Sequence, residues 1–552
     1  MWYKLRQLIK NLSKEERRVF SGAFAVFAAA SALLIFSLFY QNTVPEPVEG
    51  GSYTEGIVGQ PISLNPLITG DNDPDRDLVA LLFASLFDLL EKYETDADQK
   101  TWTLILKPNL KWSDGKPLTS DDVLFTISVI QDPDSRSPFF PTWQGVFAER
   151  ISEREIRLNL KNPYAFFLDN IKNLRIAPNH IFGNIPPQNF RLSDFNLRPI
   201  SSGPYKFESF EKRRDGFIEK YTFATNEYSV VGEPYIQNFQ IRFFASKNEA
   251  IKAFNLKAID GIGNLDPSDL ENVKINRTVF AIERPRYYAI FLNQSTAPQL
   301  KEKAVRSALA AATDKMKFVN DIFQNKAGVV NGPLPPNVGG YSEVIFEEEI
   351  FSIEKANELL DQAGWKINES GVREKMISGA PAQLSFEVIV PEAQFLIDTA
   401  NILKEDWKKI GVEINPIILR PSEVISNAIK PRNYQMMIFG NTLNNNPDIF
   451  SFWHSSQRFD PGLNLALFNN KDVDTLLETL RQNLDPDSRN EELSKLQTLI
   501  HNQRPVVFLY SPHYLYISSK NLGGISAKSV AIPAERFINV QDWYLKTARV
   551  FK

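Results

Sequence analysis

Residues Trp102–Ile130 read WTLILKPNLKWSDGKPLTSDDVLFTISVI, three structural elements in one line. Trp102, Leu104 and Leu106 alternate with Thr103 and Ile105, and the run stops at Lys107-Pro108, which is a strand by period and by composition. Asp114-Gly115 is a tight-turn dipeptide, because glycine accepts positive φ without a Cβ clash. Thr119 and Asp122 stand at capping-box spacing ahead of Val123, Leu124, Phe125 and Ile127, so a helix is predicted to start there.

Other segments repeat this alternation of strand and helix. Leu384, Phe386, Val388 and Val390 predict a strand. Leu396, Ala400, Leu403, Trp407 and Ile410 then fall on one helical face, Gly411 stands at the C-terminal cap position, and Val412–Ile418 returns to strand. That is a βαβ unit, hence a parallel pair with a right-handed crossover. Further helices are predicted over Leu78–Leu90, Lys301–Thr313 and Ile353–Ala363. The C-terminal region returns to strand at Val506–Tyr510 and Tyr514–Ile517.

The chain has 552 residues, enough for several folded units at about 100–200 residues each. With 43% hydrophobic and 23% charged residues it is neither wholly disordered nor a polytopic membrane protein. The formal net charge of −4 is not the basic footprint of a nucleic-acid binder. The absence of cysteine removes disulfides, thiolate metal sites, cysteine nucleophiles and a lipid on an N-terminal cysteine. The four histidines, His180, His454, His501 and His513, are too scattered to suggest a multi-histidine metal centre.

One segment departs from the soluble pattern. Phe20–Phe39 carries no charge, and an apolar helix of about 20 residues spans a hydrocarbon core. Lys4, Arg6, Lys10, Lys14, Arg17 and Arg18 precede it, which puts the N-terminus inside and the rest outside. A cleaved signal would have a shorter apolar core and an A-x-A-like site, and Ser37–Tyr40 does not read as one, so an uncleaved anchor is expected. Arg17-Arg18-Val19-Phe20 hints at a twin-arginine export signal, but ordinary flanking positive charge is the preferred reading. Gln41–Ser52, mixing Pro, Gly and acidic residues, is expected to be a short extended tether.

Taken together the motifs resemble the extracellular solute-binding proteins of family 5, the peptide-, oligopeptide- and nickel-binding receptors of ABC importers. Trp102–Thr126 looks like the family's strand-turn-helix signature, and SSGPYKF (Ser201–Phe207) like its GTGPY motif. Asn226 and Tyr228, AIDGI (Ala258–Ile262), AVRSALAAATDK (Ala304–Lys315), KANELLDQAGW (Lys355–Trp365), GVEI (Gly411–Ile414) and NNNPDIFSFWHS (Asn444–Ser455) follow in the family's order. The resemblance implies an α/β, two-lobed periplasmic-binding-protein type II fold with an extra inserted domain, here preceded by one N-terminal transmembrane helix. The expected division is a cytoplasmic basic segment (1–19), an anchor (20–40), a linker (41–52), lobe I (53–95, 197–285 and 507–552), the inserted domain (96–196) and lobe II (286–506). The chain is expected to cross between lobes near Tyr287–Asn293 and near Val506–Tyr510, with ligand in a cleft that closes by a hinge.

Peptide-binding relatives pair the peptide's α-amino group with an acidic residue in the loop that is Asn441–Asp448 here. The positions available are Leu443, Asn444, Asn445 and Asn446, so no anchoring carboxylate is evident: either Asp448, whose plainer role is to cap the following helix, or a residue elsewhere replaces it, or the ligand lacks a free amine. Neutral amides suit hydroxyls and peptide groups, but three adjacent asparagines also favour a turn. Trp143 and Trp453 are candidates for the cleft wall, with core packing as the plainer reading. Asn65 lies where a ligand could approach a strand end, or is simply a turn residue before Pro66. Arg306 could pair with a ligand carboxylate or make a structural contact. Ser202-Gly203-Pro204-Tyr205 reads as a structural turn.

No G-x-S-x-G, H-E-x-x-H or C-x-x-C occurs, and Gly261-Ile-Gly263 meets Asp266 where a dinucleotide loop needs glycine. No catalytic residue, metal site or cofactor is assigned. The expected partners are a peptide or other small solute, an ABC permease with its ATPase subunits, and the membrane through the helix, with no nucleic acid and a monomeric receptor. An oligosaccharide or metal-chelate ligand, or a sensory receptor without transport, is the alternative.

Overall fold

Two β-sheets carry the architecture, and the chain passes between them twice. A computed structural model describes residues 13–346, 350–377, 379–443, 446–519 and 522–552. The first sheet has seven strands in the order Thr278–Ile282, Tyr514–Ser518, Gly261–Leu265, Ser52–Val58, Asn238–Phe244, Ile218–Thr225 and Tyr205–Lys212. The second has six, in the order Ala327–Val329, Val506–Pro512, Arg286–Leu292, Met436–Thr442, Ser385–Pro391 and Glu413–Leu419. Ser385–Pro391 and Glu413–Leu419 run parallel around helix Gln394–Lys408, which buries Leu396, Ala400, Leu403 and Trp407. Gly411 has a φ of 70°, so the helix exit uses backbone freedom that only glycine has cheaply.

The opening stretch folds as strand Thr101–Leu106, a turn at Gly115 (φ 83°) and helix Ser120–Gln131. Thr119 N donates to Asp122 Oδ2 at 2.9 Å, the capping box read from the spacing. Its strand belongs to a four-stranded antiparallel sheet in the order Leu90–Thr95, Thr101–Leu106, Glu155–Leu160 and Val146–Arg150. This small sheet starts at Leu90, ahead of the boundary expected at 96, because Leu90–Thr95 pairs with Trp102–Leu106. One continuous hydrophobic core joins it to a face of the seven-stranded sheet.

The second lobe boundary also moves. Val506–Pro512 pairs with Arg286–Leu292 and Ala327–Val329, so it belongs to the six-stranded sheet instead of starting lobe I at 507. The chain crosses at Glu283–Pro285 and at His513, close to Tyr287–Asn293 and Val506–Tyr510, which themselves lie almost wholly in strands.

Leu78–Leu90 is not one helix. Helix Asp73–Leu82 ends at an extended Phe83, and Ser85 caps a new short helix, Leu86–Leu89. The interruption is where the GPY turn docks: Ser202 N and Gly203 N both donate to Leu82 O, at 3.0 and 2.7 Å. A Cβ on Gly203 would lie 2.8–2.9 Å from the Leu82 and Phe83 backbone. Gly203→Ala is therefore expected to cost about 1–3 kcal/mol through forced displacement of two backbones. The check is the midpoint of chemical unfolding, and an unchanged midpoint would remove close approach as the reason for the glycine.

The apolar helix runs Lys14–Asn42, longer at both ends than expected, with no buried residue. Ser13 and Glu16 form a capping box at its start. Lys4, Arg6 and Lys10 lie outside the described residues. The tether expected over 41–52 is instead largely a strand, Thr43–Val48, paired antiparallel with the C-terminal Lys546–Phe551. Pro45 and Pro47 are two apart, so their missing N–H groups both face the open edge of the ribbon, where no ladder bond is lost. Arg549 fastens the junction: it donates to the Tyr40 and Thr43 carbonyls at 2.9 and 2.8 Å, and its guanidinium stands 3.6 Å over the Tyr40 ring.

Candidate functional site

The two crossings lie side by side, and several strand ends meet there. Ile282 is opposite Tyr514 and Leu265 opposite Leu515, so strands Thr278–Ile282 and Gly261–Leu265 both end at the second crossing. Ser52–Val58 runs parallel to Gly261–Leu265 and ends on the same side. In the other sheet Thr442 is opposite Arg286, so Met436–Thr442 ends at the first crossing, and Ser385–Pro391 runs parallel to it. Both lobes thus turn the carboxyl ends of parallel strands towards the crossings, where open α/β sheets bind ligands.

The Asn441–Asp448 loop is fastened to this place. Leu443 N donates to the Pro285 carbonyl at 2.6 Å, and Asn441 Nδ2 donates to the Tyr287 hydroxyl at 2.8 Å. Asn444 and Asn445 lie outside the described residues. Asn446 Oδ1 accepts from Asp448 N at 3.1 Å, an Asx-type turn.

Asp448 already has partners. The Tyr164 hydroxyl donates to its Oδ2 at 2.7 Å and Arg481 Nε at 3.1 Å, while its Oδ1 accepts from Phe450 N at 3.3 Å. Tyr164 belongs to the inserted unit, and Arg481 to helix Lys471–Gln482 of the other lobe. Ala165 N donates to the Arg481 carbonyl at 2.8 Å, and Arg489 lies over the Phe166 ring. Asp448 therefore joins the two halves of the molecule directly. Burial, then the Asp448 charge, pushes the Tyr164 hydroxyl pKa up and keeps it a donor.

The other predicted residues are inside the protein. Trp143 is 1% exposed and packs edge-on to Phe167, so it is core of the inserted unit and not cleft wall. Trp453, also 1% exposed, packs between Phe468 and Phe508 beneath the six-stranded sheet. Asn65 is fully buried: its Oδ1 accepts from Leu67 N at 3.0 Å, its carbonyl accepts from Thr69, and its Nδ2 has no partner. That is a turn role. Arg306 is structural, donating to the carbonyls of Leu300, Lys301, Gln503 and Arg504.

Three groups at the crossings were passed over in the sequence: Arg284, Arg286 and His513. The available signal was Arg-Pro-Arg at the start of a strand, two cations flanking a proline bend. Burial pushes the His513 pKa down, and its Nδ1 has no partner. Among the described residues no group of three or more His, Asp or Glu side chains gathers in a way that would hold a metal ion.

Comparison with known proteins agrees with this geometry. Residues 87–460 match the family model described as bacterial extracellular solute-binding proteins, family 5 Middle. The oligopeptide-binding protein AppA of Bacillus subtilis (strain 168) is 26% identical over 524 residues, covering 92% of this chain and 93% of that protein. The structure of AppA in complex with a nonapeptide superposes with a TM-score of 0.69 at 25% identity, covering 91% of this chain and 100% of that one. NikA from Brucella suis in complex with Fe(III)-EDTA has the same fold, with a TM-score of 0.76 at 20% identity over 90% of this chain and 100% of that one.

Proposed function

This chain belongs to the bacterial extracellular solute-binding proteins of family 5, and from that premise we propose that it captures peptides between its lobes and delivers them to an ABC importer. The observation that carries the reading is the build of the crossings. Two sheets joined by two adjacent short segments can rotate as bodies about them, and strand ends from both sheets open on the space that rotation would close. The likeness to an oligopeptide-binding protein over nine-tenths of both chains supports peptide as the solute class. The receptor does no chemistry of its own; hydrolysis of ATP belongs to its transporter partners.

Helix Lys14–Asn42 holds the receptor at the membrane in this reading. Twenty-nine residues at 1.5 Å rise reach about 44 Å, enough to span the hydrocarbon core and both its borders. Tyr40 stands at the outer end with Arg549, an aromatic-cation pair of the kind that suits a headgroup layer. Anchoring raises the receptor's concentration beside its permease without any added contact.

The test is native mass spectrometry of the full chain extracted in mild detergent without refolding, before and after gentle denaturation to release ligand. Co-purified masses forming a peptide ladder are the expected result. A single sugar or chelate mass would keep the fold and replace the solute. An empty protein that shows no melting shift with a peptide library would overturn the reading.

A further inference from the structure

Buried arginines in this protein are satisfied with care. Arg306 caps four carbonyls, Arg373 reaches Asp361, Asn357 and two carbonyls, and Arg536 grips two carboxylates. Arg432 donates to the carbonyls of Ile429, Arg458 and Gly462. Arg284 and Arg286 break this pattern. Both are half-buried, and the Nε of each is shut off from solvent with no acceptor. Among the described residues neither guanidinium forms an ion pair or a hydrogen bond.

The position of the pair is specific. Arg284 lies in the first crossing, and its guanidinium stands 5.2 Å over the ring of Tyr514, which opens the strand after the second crossing. Arg286 starts strand Arg286–Leu292 opposite Thr442, one residue before Leu443 ties the Asn441–Asp448 loop to Pro285. The chain bends at Pro285, where Arg286 N donates to the Arg284 carbonyl at 2.8 Å, and the two guanidiniums stay near enough for the Arg286 charge to act on Arg284. Burial, then the Arg286 charge, pushes the Arg284 pKa down to about 10. Tyr288, Tyr514 and Asp73 act in the opposite sense, but Asp73 lies 3.8 Å from Arg76 and pairs there. A half-buried cation beside a like charge with no anion is costly to keep, and a carboxylate delivered from outside would remove that cost.

We propose that Arg284 and Arg286 form an anion subsite at the floor of the interlobe cleft that takes a carboxylate of the bound solute. This deepens the solute-binding reading and rests on it. The recognised end of the ligand is its anionic one, consistent with a loop whose visible acid, Asp448, is already committed to Tyr164 and Arg481. Two planar forks suit a carboxylate, which accepts from each in plane.

The test compares matched peptide libraries with a free C-terminal acid and with a C-terminal amide, titrated into the full chain in detergent by calorimetry. Arg284→Gln, Arg286→Gln and the double variant are measured alongside, with unfolding midpoints as the control for folding. The wild type is expected to prefer the acids by about 10–100-fold. The double variant should bind acids only as well as amides, with amide binding unchanged. Equal binding of acids and amides by the wild type, or a preference that survives the double substitution, would overturn the proposal. Succinate and citrate against neutral succinamide, at matched ionic strength, supply a probe that does not depend on peptides. If no peptide binds but dicarboxylates raise the wild-type melting temperature and not the variant's, the subsite stands and the peptide reading falls. If neither probe acts, the subsite falls too.

Discussion

Arg536→Leu is expected to cost about 3–5 kcal/mol of stability, because it strands two buried carboxylates. Arg536 donates to Asp77 through both Nη atoms, at 2.9 and 2.8 Å, and to Glu55 Oε1 from Nε at 3.1 Å and from Nη2 at 2.9 Å. The three side chains are between 0 and 3% exposed. Tyr53 and Tyr516 donate to the other Glu55 oxygen at 3.1 and 2.8 Å. The network ties strand Ser52–Val58, helix Asp73–Leu82 and the C-terminal region into one lobe. Burial pushes Glu55 and Asp77 up, and Arg536 opposes the shift. Groups with raised folded pKa values favour the folded state at low pH and lose that contribution as pH rises through the folded pKa. Without the arginine both values rise further. The variant's deficit should therefore shrink as pH is lowered from 7 towards 5, while the wild type changes less. Urea unfolding at several pH values reads both effects, and a deficit that does not depend on pH would contradict the assignment.

Tyr164→Phe with Asp448→Asn is expected to loosen the direct bridge between the inserted unit and the far lobe. Arg481 is 40% exposed, so its ion pair with Asp448 is discounted for solvent, and the Tyr164 hydroxyl on a mostly buried carboxylate carries most of the effect. A charge-assisted hydrogen bond of this kind is worth about 1.5–3 kcal/mol, roughly 10–150-fold in the balance between lobes together and lobes apart. The ligand-free protein should become larger by small-angle scattering, and bound solute should leave faster in stopped-flow displacement. An unchanged scattering curve together with an unchanged off-rate would show that the bridge does not hold the lobes.

The sequence was most informative where local chemistry and tertiary placement agree. Thr119 and Asp122 announced a helix start, and Gly411 announced a helix end, because each acts on backbone within a few residues. Leu78–Leu90 misled because its break at Phe83 is imposed by Gly203, over a hundred residues away, and the one local signal, Ser85 and Asp88 at capping-box spacing, sits inside a continuous apolar run. Trp143 and Trp453 have the composition of a cleft wall and the position of a core, a difference that only packing decides. Asp448 was the visible acid in the expected loop, yet its partners Tyr164 and Arg481 lie on separate elements with no shared motif. Arg284 and Arg286 were overlooked for the opposite reason: a pair of arginines before a strand is ordinary until burial without a counter-ion makes it costly.

The ribbon of Thr43–Val48 with Lys546–Phe551 imposes an order on synthesis. It pairs Thr43–Val48 with a segment made much later, across a loop of roughly five hundred residues. A contact at that separation has a large closure entropy and cannot form until Lys546–Phe551 has been made. The lobes can therefore fold while the apolar helix is still loosely attached, and the fixed stance is taken up only when Lys546–Phe551 arrives. A protein lacking Lys546–Phe551 would keep both sheets and lose its posture.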